Sequence, residues 1–294
     1  MKLKPGVVAA LLTPIDANGN LDEASYRKQI EDMIQAGAVG LLALGSMGKQ
    51  AFLRPSTCVE VARVAVDAAA GRVPVFVGAM DVSICRAKER IAAMEDIDVA
   101  AFVFTAPYYE ALSFDEMSNY IKAVAASTKH NVMVYDLPGV TRFKFNYNFV
   151  LRLRKEVPNL IGIKSADTQM FRKLVLDPEV PEDFIMVYSG LDTFDVAYKW
   201  GIKNCLDGML PLTPKNTGKM FKAMADNDYD TAATCLNNIV YLRDRMAAHD
   251  LWPCASEIMH MLGYSGNHAP DWCNPIKPEN VAVMRADLEK IGEL

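Results

Sequence analysis

Short apolar runs alternate with longer amphipathic segments eight times between residues 7 and 225 of this 294-residue chain. The runs are apolar at successive positions, which is typical of strands buried on both faces of a parallel sheet. Strands are predicted over Val7–Thr13, Val39–Leu44, Val73–Val77, Ala101–Phe104, Val132–Tyr135, Leu160–Ile163, Phe184–Tyr188 and Cys205–Leu210. Helices are predicted over Asp22–Ala36, Arg54–Ala70, Ser83–Met94, Phe114–Thr128, Asn146–Lys155, Thr168–Leu176, Phe194–Trp200 and Pro214–Ala225.

Eight such units in succession predict an α/β fold of the (β/α)8 (TIM) barrel type. The structural alternative is a doubly wound open sheet. That fold usually has a glycine-rich phosphate loop after an early strand. Here the segment LALGSMGKQ follows the second strand and lacks the GxGxxG spacing.

The remainder of the chain has helical periodicity. Pro253 and the loop Tyr264–Pro275 separate its helical segments, and no flexible linker precedes them. The segments are Asp228–Ala248, Ala255–Gly263 and Pro278–Ile291. We therefore expect a barrel over residues 1–225 and, over residues 226–294, a C-terminal helical extension that packs on the barrel.

Composition excludes several function classes. The net charge is −5 and charges of both signs are interspersed, so the chain is not expected to bind nucleic acid. The six cysteines show no metal-ligand spacing, which favours reduced thiols in a cytoplasmic protein. No apolar stretch approaches the roughly 20 residues of a membrane span. We expect no metal, no cofactor and no membrane partner.

Polar residues collect at the predicted strand ends, where the active site of a (β/α)8 barrel lies. They include one amine, several phenols and a hydroxyl, without histidine or cysteine. The segments are Gly45–Lys49, Pro107–Tyr109, Tyr135–Pro138, Lys164 and Ser189–Asp192.

Lys164 suits Schiff-base chemistry, because burial disfavours the charged form of an amine and a neutral amine attacks a keto carbon. The protonated imine then withdraws electrons, and phenols can carry the protons. A lysine that reaches a carboxylate at the strand end remains the alternative. Tyr135 is also plausible as a core aromatic, and Asp192 is equally plausible as a helix N-cap.

Four segments make the chain resemble the dihydrodipicolinate synthase / N-acetylneuraminate lyase family of class I aldolases. LLALGSMGK is similar to its GxxGE loop, TAPYY to its PYY segment, MVYDLPGVT to its YNxPxxT motif, and IGIKSAD to the strand with the imine-forming lysine. DGML at residues 207–210 resembles a Gly-x-Ile step more weakly. The resemblance runs from residue 6 to the C-terminus.

The resemblance implies an imine between Lys164 and pyruvate or another 2-keto acid, with Tyr135 as the acid/base. It implies that Ser46 joins the proton relay and holds the keto-acid carboxylate. Tyr109 would complete the relay from a neighbouring subunit, in a homotetramer built as a dimer of dimers. The implied substrate contacts are Ser46, Met47, Leu210, Val140, Gly190 and Asp192.

Several positions depart from the family pattern. Met47 replaces a hydroxyl residue of the carboxylate loop, and Lys49 stands where the loop usually has glutamate. We expect Lys49 to point to solvent rather than to attract an acidic substrate. Val140 takes the place of the arginine that holds the second substrate in dihydrodipicolinate synthases, although Arg142 lies two residues on. Asp136 replaces the usual asparagine.

The expected function is therefore a class I lyase that cleaves or forms a C–C bond of a sugar-acid-like substrate. A keto-sugar-acid dehydratase that uses the same imine is one alternative. A dihydrodipicolinate synthase proper and a non-catalytic small-molecule binder are the others. The expected partners are 2-keto acids and aldehydes.

Overall fold

A computed structural model describes residues 2–294. Eight parallel strands pair in chain order and β8 pairs with β1, so the sheet closes into a barrel. The strands are β1 (Gly6–Ala10), β2 (Gly40–Ala43), β3 (Val75–Gly78), β4 (Ala101–Thr105), β5 (Val132–Tyr135), β6 (Leu160–Ser165), β7 (Ile185–Tyr188) and β8 (Asn204–Cys205). The predicted (β/α)8 barrel is confirmed.

Helices cover the outside of the barrel and continue after it. Those within the barrel units are α1 (Glu23–Gln35), α2 (Pro55–Ala69), α3 (Ile84–Ala92), α4 (Phe114–Ala125), α5 (Pro138–Thr141), α6 (Tyr147–Glu156), α7 (Thr168–Leu176), α8 (Phe194–Lys199) and α9 (Pro214–Ala225). Those that follow are α10 (Tyr229–Ala248), α11 (Leu251–Met261) and α12 (Pro278–Lys290).

The strands are apolar at successive positions because each faces two apolar layers. One layer lies between the strands and the surrounding helices, and the other fills the barrel interior. Val8, Leu42, Phe76 and Met133 belong to the interior layer, and each is at most 2% exposed. Such an interior is a packed core rather than a pore, so a substrate can enter only at a barrel end.

Strand β8 is shorter than predicted. The prediction extended it to Leu210, but pairing stops at Cys205 and Leu210 opens a 3-10 turn, Leu210–Leu212. The backbone N–H of Met209 donates to Asp207 Oδ1 at 3.0 Å, which bends the chain out of the sheet.

Two helices also differ from the prediction. Helix α5 was not expected, and Pro138 stands at its first position. Helix α11 begins at Leu251 rather than after Pro253. A proline in the first turn of a helix costs little, because its missing N–H has no partner within the helix there.

The C-terminal helices contact the barrel through α9. The side chain of Asn216 on α9 donates to Ile291 O at 2.9 Å and to Glu293 Oε1 at 2.8 Å. Helix α10 packs against α9 and α8 and brings Arg243 towards the C-terminal ends of the strands. A boundary between barrel and extension at residues 225 and 226 stays a prediction.

Candidate active site

Lys164 lies within β6 rather than after it, and it pairs in register with Tyr135 of β5. Its side chain is 6% exposed. The amine Nζ stands 3.9 Å from the centroid of the Tyr135 ring, a position in which a cation or an N–H is attracted to the ring face. Within residues 2–294, Lys164 makes no ion pair, so the structure does not support a lysine tied to a carboxylate.

A cavity of about 380 Å³ opens over Lys164 at the C-terminal ends of the strands. Its lining joins residues of β1, β2, β5 and β6 with residues of α10 and α11. The lining residues are Ala10, Leu42, Ser46, Met47, Tyr135, Asp136, Leu137, Pro138, Lys164, Ala166, Ser189, Asp207, Gly208, Met209, Arg243, Met246 and Leu251. The structure thus brings together Lys164, Tyr135, Ser46 and Met47 of the predicted site.

The loop after β2 carries Ser46 and Met47 into this cavity. Ser46 is exposed, and within residues 2–294 its hydroxyl has no hydrogen-bond partner, so it is free to bind a ligand. Met47 lies against Gly208, where a Cβ would come within 2.4 Å of Met47 Cγ. Thr13 fixes the loop from β1 by donating to Gly48 O at 2.8 Å.

Lys49 does not point to solvent, which corrects our expectation. It is 1% exposed and does not line the cavity. Its amine donates to Asn267 O at 2.9 Å and to Ala269 O at 3.0 Å. Burial lowers the pKa of Lys49 to about 7. Lys49 therefore anchors the loop after β2 to the segment between α11 and α12.

Asp136 ties the chain after β5 to the end of β6. It is 4% exposed and accepts from Ser165 Oγ at 2.7 Å and from Phe145 N at 3.1 Å. Lys144 forms an ion pair with it and another with Asp167 at 3.0 Å. Because Ser165 follows Lys164 directly, this network restrains the backbone next to the Lys164 amine.

Tyr109 does not reach the cavity of its own chain. It is 78% exposed and borders a separate outer groove with Val82, Pro107 and Leu112. An exposed phenol in this place can act on a cavity only if another chain brings its own cavity to it. The relay role of Tyr109 therefore stays a prediction.

Val140 and Leu210 also lie outside the cavity lining. Val140 is 57% exposed on α5. Leu210 is 1% exposed, its N–H donates to Asp207 O at 3.3 Å, and its carbonyl accepts from Thr217 Oγ1 at 3.2 Å. The backbone groups of Leu210 are thus already paired within the protein.

Gly190 and Asp192 both make close contacts within the protein. A Cβ at Gly190 would approach the hydroxyl of Tyr188 to 2.4 Å, so this glycine permits close packing. Asp192 accepts two hydrogen bonds from Arg243, at 2.7 and 2.9 Å, and this pairing holds the pKa of Asp192 below its ordinary value. Thr193, not Asp192, precedes the first residue of α8.

Sequence reasoning missed Asp207 and Arg243. Asp207 follows β8 by two residues, and a charged residue at a strand end was the available signal. Arg243 and its neighbour Met246 reach the cavity from α10, which local sequence patterns do not reveal. Within residues 2–294 there is no cluster of three or more His, Cys, Asp or Glu side chains that suits a metal ion. None of the helices in this range combines the length and apolarity that crossing a membrane requires.

Comparison with known proteins identifies the family that has this architecture. Residues 4–290 match the model of the dihydrodipicolinate synthetase family. The 4-hydroxy-tetrahydrodipicolinate synthase of Oleidesulfovibrio alaskensis is 27% identical over 289 residues, which are 98% of each chain. That of Porphyromonas gingivalis is 29% identical over 233 residues, which cover 78% of this chain and 77% of its own.

Solved structures share the fold over the whole length. Proteus mirabilis N-acetylneuraminate lyase superposes with a TM-score of 0.90 at 18% identity and covers 100% of both chains. YagE of E. coli K12, a prophage protein solved in complex with pyruvate, gives 0.89 at 22% identity over 98% of both chains. With the family match over nearly all residues, the chain belongs to the dihydrodipicolinate synthetase family, and the predicted class of aldolase-type lyase is confirmed at that level.

Proposed function

We propose that this chain forms an imine between Lys164 and a 2-keto acid such as pyruvate, and that the imine serves to break or form a C–C bond. The observation that carries the proposal is the Lys164 amine, which is unpaired within residues 2–294 and opens on a cavity. Within residues 2–294 no carboxylate forms an ion pair with this amine, so it is accessible to a keto acid that enters the cavity.

Tyr135 and Ser46 supply the groups that such chemistry needs. A phenol beside the amine can take and return the protons that carbinolamine formation, dehydration and enamine formation move. The Ser46 hydroxyl and the backbone N–H groups of its loop can hold the keto-acid carboxylate. The apolar floor formed by Leu42 and Ala10 then excludes water from the imine.

The outer part of the cavity favours an aldehyde without a carboxylate of its own. Arg243 is the cation there, and it is already paired with Asp192 and with Asp244 at 2.8 Å. Methionines 47, 209 and 246 supply apolar surface, and Ser189 and Asp207 supply polar groups. An uncharged hydroxylated aldehyde, as released from a sugar acid, fits this lining.

The second candidate is a 4-hydroxy-tetrahydrodipicolinate synthase, the name carried by the relatives described above. Its support in this chain is Arg142, which is exposed and makes no ion pair within residues 2–294. Val140 weakens this candidate, because an apolar side chain cannot bind the second carboxylate. A dehydratase would use the same imine, and product analysis distinguishes it.

Borohydride reduction in the presence of pyruvate tests the proposal. The reduced imine should add a stable mass to the peptide of Lys164 and none to that of Lys49. Lys49 is a sharp internal control. It is also a buried amine, burial lowers its own pKa, and it does not line the cavity. Lys164→Met should abolish the adduct. An unmodified Lys164 in folded protein with excess pyruvate would refute the imine.

We also propose that the active form is a homotetramer in which Tyr109 serves a neighbouring cavity. The support is the 78% exposure of Tyr109, which does not line the cavity of its own chain but borders the outer groove. A non-catalytic binder would also bind pyruvate. It would be recognised by an adduct at Lys164 without turnover of any aldehyde.

A further inference from the structure

Asp207 is a carboxyl group of the cavity that the proposed imine chemistry does not use. It lies in the turn after β8, and its Oδ1 accepts from the N–H of Met209 at 3.0 Å. Its Oδ2 makes no hydrogen bond within residues 2–294 and is not among the sealed interior atoms. One oxygen is therefore structural and the other is available in the cavity.

Asp207 and Tyr135 flank Lys164 from opposite sides of the barrel. Tyr135 lies on β5, next to the lysine strand β6, whereas Asp207 follows β8, two strands away in the other direction. A planar imine on Lys164 would thus have a phenol on one side and a carboxyl on the other. Two proton carriers on two sides can serve two different reacting atoms.

The surroundings of Asp207 favour its protonated form more than solvent does. Met47 packs on the adjoining Gly208 and places apolar surface beside the turn. Burial raises the pKa of Asp207, and the nearby Asp192 adds to this. The Met209 N–H and the positive charges of Lys164 and Arg243 oppose the rise without cancelling it. Lys164 is 6% exposed at the inner end of the cavity, and the Asp192 side chain is 63% exposed at its outer end. Asp207 therefore interacts with charges at both ends of the cavity.

We infer that Asp207 donates the proton to the aldehyde oxygen when the C–C bond forms and removes the proton of the 4-hydroxyl group when it breaks. This inference rests on the proposed imine function and assigns a separate residue to its aldehyde half. Tyr135 serves the imine half. Asp207 is thus a catalytic residue for the second substrate.

The step balances without any further reactant. In condensation, enamine C3 bonds to the aldehyde carbon, the C=O π pair moves to oxygen, and that oxygen takes the Asp207 proton. The enamine nitrogen pair becomes the C=N bond of the iminium. Asp207 regains a proton from water, which matches the proton that C3 lost when the enamine formed. In cleavage each of these movements is reversed.

Asp207→Asn isolates this role, because an asparagine Oδ1 still accepts from Met209 N–H and only the acid is lost. Two readouts are needed. Deuterium exchange at the methyl group of pyruvate reports imine and enamine formation without an aldehyde. Condensation of pyruvate with glycolaldehyde, D-glyceraldehyde, D-erythrose and benzaldehyde reports the C–C step.

Asp228→Asn is the matched control. Asp228 also accepts a hydrogen bond from a backbone N–H, that of Thr231 at 3.1 Å, but it is exposed and lies outside the cavity.

We expect Asp207→Asn to lower the condensation rate about 100-fold or more, the usual scale for a positioned acid, while exchange falls less than about 3-fold. Wild-type condensation should decline as the pH rises through the pKa of Asp207, and this decline should be absent from Asp207→Asn. Equal losses in both readouts, or no loss in condensation, would overturn the inference. A wild-type protein that exchanges deuterium but condenses with none of the aldehydes would instead refute the aldolase function, and the role of Asp207 with it.

Discussion

The buried amine of Lys49 should make the stability of this protein rise with pH. Burial lowers the pKa of Lys49 from 10.5 to about 7 in the folded state, whereas an unfolded lysine keeps its proton up to its ordinary pKa. Between these two pKa values the unfolded state binds one more proton than the folded state. The free energy of unfolding therefore increases as the pH rises, and it decreases again as the pH falls toward 7. Integrating this proton difference from pH 7 to pH 9 gives an increase of about 2 kcal/mol in the free energy of unfolding.

Lys49→Met tests this, because methionine fills similar space without an amine. The free energy of unfolding is measured in urea at pH 7, 8 and 9 for the wild type, for Lys49→Met and for Lys88→Met. Lys88 is the matched control, an exposed lysine of α3 without an ion pair in residues 2–294. Only Lys49→Met should lose the rise of about 2 kcal/mol. If all three proteins share one pH slope, the two carbonyl acceptors keep the amine charged in the fold and the reasoning is wrong.

The remaining predictions concern activity. Tyr135→Phe should lower turnover by about 10²–10⁴-fold in steady-state assays with an unchanged melting temperature, since only the proton carrier is lost; a loss below tenfold would exclude it as the acid/base. Tyr109→Phe should lower turnover less than Tyr135→Phe. Mixed oligomers of Lys164→Ala and Tyr109→Phe chains should be more active than either parent variant. Verified mixed oligomers without recovered activity would show that the site is not shared between subunits. Condensation of pyruvate with aspartate semialdehyde should be slow, because Val140 offers no cation to bind the carboxylate of that aldehyde. Efficient turnover would show that Arg142 or another basic residue binds this carboxylate.

The barrel and its amine could be predicted because both leave local signals. Strands that are buried on both faces need apolar residues at every position, so eight runs identify eight strands. A lysine at the end of such a run is costly to bury unless it has a function, and this singled out Lys164. Tyr135 followed from its place at the next strand end. In each case the physical cause lies within a few residues of the residue concerned.

The other contacts depend on partners that are distant in the chain. Lys49 binds two backbone carbonyls of the segment between α11 and α12, and any sequence provides carbonyls, so its burial left no signal. Arg243 reaches the cavity only because α10 packs on α8 and α9. Leu210 was placed on β8 because the strand was extended through a turn that begins at Asp207, and its role as a substrate contact stays a prediction.

The departures from the family pattern separate the site into two halves. The proposed imine half contains Lys164 and Tyr135, which lie side by side on two paired strands of a packed barrel. Their geometry follows from the sheet itself, so it tolerates little change. Met47 and Asp207 lie beyond the strands, and Met47 packs on the residue next to Asp207. Met47, which replaces a hydroxyl residue, and Asp207 thus belong to the same wall of the cavity. Loops at the strand ends can be altered without disturbing the barrel, so this wall is where the aldehyde partner would be selected, while the amine chemistry below it stays the same.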